Sequence, residues 1–531
     1  MSFIVRLIQA KVLNGWTDKS FKDLLDICNE SMPEGVNLPN SYYQAQKLTE
    51  DLGFTYNTVD ACPNSCMLFR NEDINLYQCL ICKASRWKED GCSLVSDLGP
   101  EKRKAAKQAR YFPFKPRLQR LFMSSKTTTL MRWHAEKRTD DGVFRHPTDS
   151  LAWKDFDKKH PSFSGDTRNV RLGLASDGLN PFRTMNIVHS TWLVILVPYN
   201  LPPMMLVKQL FIYLSVLIDG PKGPGDKIDV YLQPLIEELK ELWDEGIENF
   251  DASSNQMFQM HAALLWTIND FPAYANLSGW STKGEYACPS CNSETASIWL
   301  PNGKKFSYGS SRWFLPYDHK YRKDPRSFNG LREYRRAPTT LSRVDLLTQL
   351  QSNGVAGKSK DNISSRLDLE LMGIREQYHV KRRESGLEYF DPADFEMNND
   401  GKDKFLVARM PNGSASHIAR RARLKDRRIG GLKSHDNHIL LQQLIPLSVR
   451  SSFRKKVVEG LIDLGKFLKV LCSKLNCAAD LEEARSRIVV TLCDLEKIFP
   501  PSFFDVMEHL PVHLVQEALI AGAVQFRWMY L

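Results

Sequence analysis

Long hydrophobic runs are missing from this chain. The longest apolar region, from Ile187 to Ile218, is broken by His189, Pro198, Asn200, Pro202, Pro203 and Lys208. No stretch reaches the roughly 20 residues that a membrane-spanning helix needs, so the region reads as two or three buried strands. The N-terminus, M-S-F-I-V-R-L-I-Q-A-K, is amphipathic and lacks the apolar core and cleavage site of a secretory signal. It starts inside a helical pattern, which points to missing sequence ahead of it. The glycine-rich loop D-G-P-K-G-P-G-D lacks the Lys-Ser/Thr ending of a phosphate cradle and reads as a turn followed by a helix capped at Asp229. Cysteine is sparse, 11 in 531 residues. The total is odd and six of them fall into tight clusters, which argues for metal rather than a disulfide framework.

What is present suffices for roughly three folded domains. Hydrophobic residues make up 42% and charged residues 25%, enough to bury a core. The formal charge of +10 leans toward an anionic partner such as nucleic acid.

The cysteines carry the sharpest signal. Cys62 and Cys66 are followed, after twelve residues, by Cys79 and Cys82. Thiolates are strong ligands for tetrahedral zinc, and two short knuckles close such a site, so these four read as a structural zinc ribbon. Cys288 and Cys291 form a half-site in need of partners. His509 and His513 are four apart, with Pro511 between them, so the pair straddles a helix start. His435 and His438 in S-H-D-N-H are the rival partners.

Residues 101–139 are basic and interleaved with Tyr111, Phe112 and Phe114. They fit either a surface that holds a phosphate backbone against aromatic rings or a solvated helix and linker. From Asn169 the pattern turns to strands. N-V-R-L-G-L-A-S-D-G delivers Asp177 to a strand end, and W-L-V-I-L-V-P-Y and Q-L-F-I-Y-L-S-V-L-I are further strands. A helix follows with Leu232, Leu235, Ile236, Leu239, Leu242 and Trp243 on one face, and L-L-W-T-I-N-D then ends at Asp270. Strand, strands, helix and strand, with acids at strand ends, is the order a ribonuclease H-like nuclease core requires. Two-metal phosphodiester chemistry needs hard carboxylate ligands from different strands. Asp177 and Asp270 fit two of them, with Asp219, Asp226 and Asp229 as competitors for the first.

The resulting organisation is an α/β ribonuclease H-like catalytic core with an N-terminal zinc ribbon and a helical C-terminal part. Residues 1–110 hold the N-terminal helical segment and ribbon, and 111–165 a basic linker. Residues 166–300 are the core ending in C-x-x-C, 301–430 a basic insertion or linker, and 431–531 the helical region with H-x-x-x-H.

Several long stretches resemble one family. They are A-C-P-N-S-C-M-L, R-H-P-T-D-S-L-A-W-K-D-F-D, N-V-R-L-G-L-A-S-D-G-L-N-P-F, L-I-D-G-P-K-G-P-G-D-K-I-D-V-Y-L-Q-P-L-I, the stretch Asn269–Cys291, G-L-K-S-H-D-N-H and V-Q-F-R-W-M-Y. Together they look like the large transposase of plant CACTA (En/Spm-type) DNA transposons. The resemblance implies a DDE-class transposase that cuts and joins DNA at element ends, with Asp177 and Asp270 as the first two acids on Mg²⁺ or Mn²⁺. It implies structural Zn²⁺ on Cys288, Cys291, His509 and His513, DNA as partner, a homo-oligomeric synaptic complex and a nuclear location. In the family the segment after W-M-Y continues to a Glu, the candidate third acid. Here it ends at Leu531, and neither Glu508 nor Glu517 matches that position, so the resemblance also implies a truncated copy. The alternative is a non-catalytic, zinc-stabilised DNA-binding or regulatory protein derived from a transposon.

Overall fold

The computed structural model describes residues 2–33, 37–50, 55–88, 103–182, 189–206, 208–278, 280–338, 453–473 and 475–526, with short pieces between 370 and 445. The chain forms two units, one from residues 1–138 and 162–268, the other from 139–161 and 269–530.

The first unit begins with helices α1 (Ser2–Asn14), α2 (Asp18–Glu30) and α3 (Tyr42–Glu50). Thr17 caps α2 by accepting the Ser20 N–H, and Phe21 and Leu25 anchor a small apolar cluster with Ile4 and Ala45. Three strands follow, β1 (Asn57–Ala61), β2 (Leu68–Phe69) and β3 (Lys107–Tyr111). Then come β4 (Val170–Leu179), β5 (Thr191–Pro198), β6 (Tyr213–Ile218) and helix α4 (Ile228–Asp244). A hairpin of β7 (Ile247–Asp251) and β8 (Gln256–Met260) leads into β9 (Ala262–Asn269).

Seven of these strands make one sheet in the order β9-β4-β5-β6-β3-β1-β2. From β4 to β2 every pairing is antiparallel. Strand β4 is buried from Val170 to Ser176, Arg171 and Ser176 included, so both faces of this central strand are covered. On its other side Val170 donates to the His261 carbonyl at 2.8 Å.

Helix α4 buries Ile228, Tyr231, Leu232, Leu235, Glu238 and Leu242, so its inner face is rotated from the one expected. Ile236 and Trp243 are substantially exposed. The rotation brings two polar residues inward because each has partners there. Glu238 accepts the backbone N–H groups of Phe114 and Lys115 and the Tyr111 hydroxyl. Asp229 lies in the first turn of α4, and the N-cap position is Lys227, without a side-chain capping bond.

Residues 111–165, read from sequence as a basic linker, carry helices at Lys115–Gln119, Ser125–Met131, Trp133–Glu136 and Leu151–Lys159. Phe114 and Phe122 are fully buried, and Phe112 packs on Tyr56. Of the aromatics singled out in this stretch, Phe114 is core, while Tyr111 and Phe112 are half-buried, Tyr111 with its hydroxyl on Glu238.

In the second unit, helix α5 (Phe271–Ser278) follows Asp270. A hairpin of β10 (Ile298–Leu300) and β11 (Lys305–Ser307) comes next. Four helices close the chain: α6 (Lys455–Leu471), α7 (Ala478–Ile498), α8 (Val506–His509) and α9 (Pro511–Ala521). Val457, Phe467, Ile488, Leu492, Val515 and Leu519 form the shared core of α6, α7 and α9. Short pairing of Val143–Phe144 with Asn476–Cys477 and packing of Leu151–Lys159 on α9 bring residues 139–161 into this unit. Among the described residues, no helix is long and apolar enough to cross a membrane.

Candidate metal centres and acidic residues

The first centre is built by two knuckles. Cys62 donates its N–H to Met67 O, and Cys79 donates to Ala84 O. Each knuckle turns through a left-handed residue, Ser65 (φ +59°) and Lys83 (φ +60°). The sulfurs of Cys62, Cys66, Cys79 and Cys82 all lie within 4.8 Å of one another, with Cys62 and Cys82 at 3.4 Å. Tetrahedral zinc with Zn–S bonds of about 2.3 Å places sulfurs about 3.8 Å apart, so the set fits that ion. Burial pushes the Cys62 thiol up to about 12, whereas the Ala84 N–H on the Cys82 sulfur draws that thiol down to about 6. A divalent cation would let the whole set ionise.

This centre is fixed to the sheet. Ser65 Oγ and the Tyr231 hydroxyl are 2.8 Å apart, and Lys107 Nζ donates to Ser65 Oγ at 2.9 Å. Arg70 makes a two-pronged bond to Glu237 of α4, at 2.8 and 2.5 Å.

The second centre gathers residues far apart in sequence. Cys291 Sγ lies 3.3 Å from His509 Nε2 and 3.1 Å from His513 Nε2, and the two imidazole nitrogens are 3.2 Å apart. Cys288 completes a group within 4.8 Å. His509 closes α8 and His513 sits in the first turn of α9, with Pro511 opening that helix, as the proline spacing predicts. Asp505 and Glu508 form a capping box that starts α8. Cys288 and Cys291 are buried with Ala287, Tyr308 and Val506, and the Phe314 ring lies 5.9 and 5.5 Å from the two imidazole centroids. Hydrogen bonding from Cys291, with help from both histidines, draws the Cys288 thiol down to about 2, and Cys291 is pushed up because its neighbour carries the charge. Two thiolates and two imidazoles are a tetrahedral zinc donor set, and the arrangement is consistent with a structural ion. The rival histidines, His435 and His438, lie outside the described residues.

The acids are placed by strands. Asp177 lies on β4, opposite Leu193 of β5, half-buried, with its Oδ1 accepting the Gly178 N–H at 2.7 Å. Asp270 is the residue after β9, exposed, and its Oδ1 accepts the Ala273 N–H at 2.7 Å at the start of α5. The first belongs to the first unit and the second to the other. Of the competitors, Asp219 is paired with Arg110 at 2.5 Å, and Asp226 is exposed just ahead of α4.

Sequence reasoning missed the surroundings of Asp177. A Cβ on Gly178 would lie 2.7 Å from Trp192 Nε1, and one on Gly223 would also strike the Trp192 indole. Gly223 thus lets the loop close on Trp192, which pairs with Gly178 beside the acid. Repeated glycine was the available signal, with close backbone approach rather than phosphate cradling as its cause.

Residues 141–353 match the family described as Transposase family tnp2. Residues 471–531 match a Domain of unknown function, DUF4218. The first match takes in Asp177, Asp270, Cys288 and Cys291, and the second His509 and His513; the four-cysteine centre lies outside both. No curated protein matches the chain. Residues 141–353 are therefore transposase-related.

Proposed function

We propose that the chain is a DNA transposase of the DDE class and CACTA (En/Spm) type, with Asp177 and Asp270 as two of its catalytic acids on a ribonuclease H-like core. The observation that carries this is the placement of acids within a transposase-family segment. One acid lies on β4, and the other directly follows β9, the sheet neighbour of β4. The antiparallel run β4-β5-β6, then α4, then β9 beside β4, supports the fold.

Bound Mg²⁺ or Mn²⁺ would supply Lewis-acid activation of the attacking oxygen and stabilise the leaving one. The chain's part is to offer hard carboxylate oxygens. Asp270 Oδ2 has no partner among the described residues, and the Oδ1 bond to Ala273 orients the carboxylate. Asp177 is oriented in the same manner by Gly178. The substrate would be DNA at the element ends, attacked in line by water and then by a 3′-hydroxyl, in a nuclear, oligomeric synaptic complex. Zn²⁺ in the two cysteine-containing centres would be structural.

The test is Mg²⁺-dependent cleavage of duplex DNA carrying the element termini. Asp177→Asn and Asp270→Asn should each lower the rate by about a thousandfold or more, the worth of several kcal/mol of metal stabilisation, with unchanged thermal midpoint. Cleavage retained in both variants would overturn the assignment. The second reading, a non-catalytic zinc-stabilised DNA-binding or regulatory protein, draws on the two four-residue centres, which would serve structure alone. DNA binding with no cleavage by the parent chain would favour this reading.

A further inference from the structure

We propose that the loop of residues 311–336 is a docking surface for the phosphate backbone of duplex DNA, presented by Lys320, Lys323, Arg326, Arg332 and Arg336. The proposal rests on the transposase reading only for the choice of DNA as the polyanion. The surface itself follows from how this loop divides its cations.

Two arginines point inward and hold the loop's shape. Arg322 is buried and donates to the carbonyls of Trp313 (2.6 Å), Leu315 (2.8 Å) and Arg335 (2.9 Å). Arg312 is buried and donates to Leu331 O (3.1 Å), Asp324 O (3.2 Å) and Asn329 Oδ1 (2.7 Å), with its guanidinium over the Phe328 ring. A segment with little regular structure is thereby fixed by two cations bonded to its own backbone.

The remaining cations face outward. Lys320, Lys323, Arg326, Arg332 and Arg336 are exposed, and none of them makes an ion pair among the described residues. The nearby acids are largely occupied. Glu333 is buried and forked to Arg335, and Asp324 accepts the Ser327 N–H. Asp318 is the exposed acid of the loop. Tyr317 and Tyr334 are 56% and 72% exposed, with hydroxyls able to donate to phosphate oxygens.

A run of like charge usually marks a solvated face. Here the scaffold argues otherwise. A loop held before binding loses little entropy when a ligand docks, and its unneutralised charge complements a polyphosphate. Each phosphate neutralised by the protein releases counterions, so binding must weaken with salt by a countable amount.

The experiment measures binding of a fluorescent duplex to the full chain across a salt series. The comparison variant combines Lys320→Gln, Lys323→Gln, Arg326→Gln and Arg332→Gln, all at exposed positions. A charge-preserving variant, Lys320→Arg with Lys323→Arg, serves as control. The Gln variant should bind at least about tenfold more weakly. Its log–log salt slope should be shallower by about 0.9 for each phosphate it no longer neutralises, with an unchanged thermal midpoint, and the Arg variant should match the parent. Unchanged affinity and slope in the Gln variant would overturn the surface while leaving the transposase reading intact. Failure of the parent chain to bind duplex DNA would instead overturn that reading. Competition by polyglutamate as strong as by duplex at equal charge would reassign the surface to acidic proteins and overturn the proposal.

Discussion

Removing one histidine from the second centre should release a long-range tie. Cys291 and His509 are 218 positions apart. In the chain-entropy treatment of a cross-link, closing a loop of that length removes about 5 kcal/mol of unfolded-state freedom. A metal clip acts on the same term while the ion stays on the unfolded chain, and where it leaves, the tie contributes its binding free energy instead. For a folded unit of this size, each kcal/mol shifts the midpoint by about 2–4 °C. His509→Ala should therefore lower the melting midpoint of the second unit by about 10–20 °C and reduce bound zinc from about two ions per chain to about one. Elemental analysis of the purified full chain and thermal unfolding read both quantities. The histidine is also buried beside Phe314, so truncation alone costs packing. His509→Cys restores a ligand without restoring the ring, and should recover the second ion and most of the lost midpoint. Two zinc ions in His509→Ala, or a midpoint within about 2 °C of the parent, would refute the reasoning.

Other perturbations follow from the first unit. His134 is buried beside Arg171, with Nε2 and Nη1 3.5 Å apart. Burial and then that guanidinium draw its pKa down to about 3. The unfolded imidazole titrates near 6.5 and so takes up protons that the folded one refuses. Stability is full above pH 6.5 and falls as pH drops toward 3, by about 2 kcal/mol between pH 7 and pH 5. Denaturant unfolding of His134→Gln should show a flatter dependence over that interval, and an unchanged slope would count against it. Glu238→Ala strands the Phe114 and Lys115 N–H groups and should cost about 3 kcal/mol or more, measured as a shift in denaturant midpoint at constant slope. Gly178→Ala drives a methyl into Trp192 and should cost about 1–3 kcal/mol, with an altered Trp192 environment seen in fluorescence.

Much of the core was legible because its strands carry either alternating apolar positions, as at Val170, Leu172 and Leu174, or nearly continuous apolar runs. V-R-L-G-L-A-S-D, W-L-V-I-L-V-P and Y-L-S-V-L-I each became a strand in one antiparallel run. The cysteine knuckles were legible because ligand chemistry fixes short spacings within each, whereas the histidine partners of Cys288 and Cys291 stood open between two pairs. The β7–β8 hairpin was not legible: burial alternates along both strands, but polarity does not follow it, with Asn249 and Asp251 buried and Phe250 and Met257 exposed. The inner face of α4 was misjudged because Tyr231 and Glu238 are buried through hydrogen bonds to residues more than a hundred positions away. No helical period carries that information.

The stretch from 101 to 139 and the loop from 311 to 336 show why charge runs mislead. Both are rich in Lys and Arg. In the first, Arg110 is paired with Asp219, and Lys107 bonds to Ser65 beside the four-cysteine centre. Arg117 donates to the carbonyls of Phe112, Pro113 and Leu214. Those cations fasten β3 to β6, and with it the ribbon to the core sheet, so a boundary drawn at residue 110 cuts through a strand. In the second, Arg312 and Arg322 do the same fastening, but they are buried and leave the remaining cations outside. What separates structural from binding charge is therefore whether the fold itself supplies the acceptors. The surplus of +10 becomes a statement about a partner only after the internally satisfied cations are subtracted.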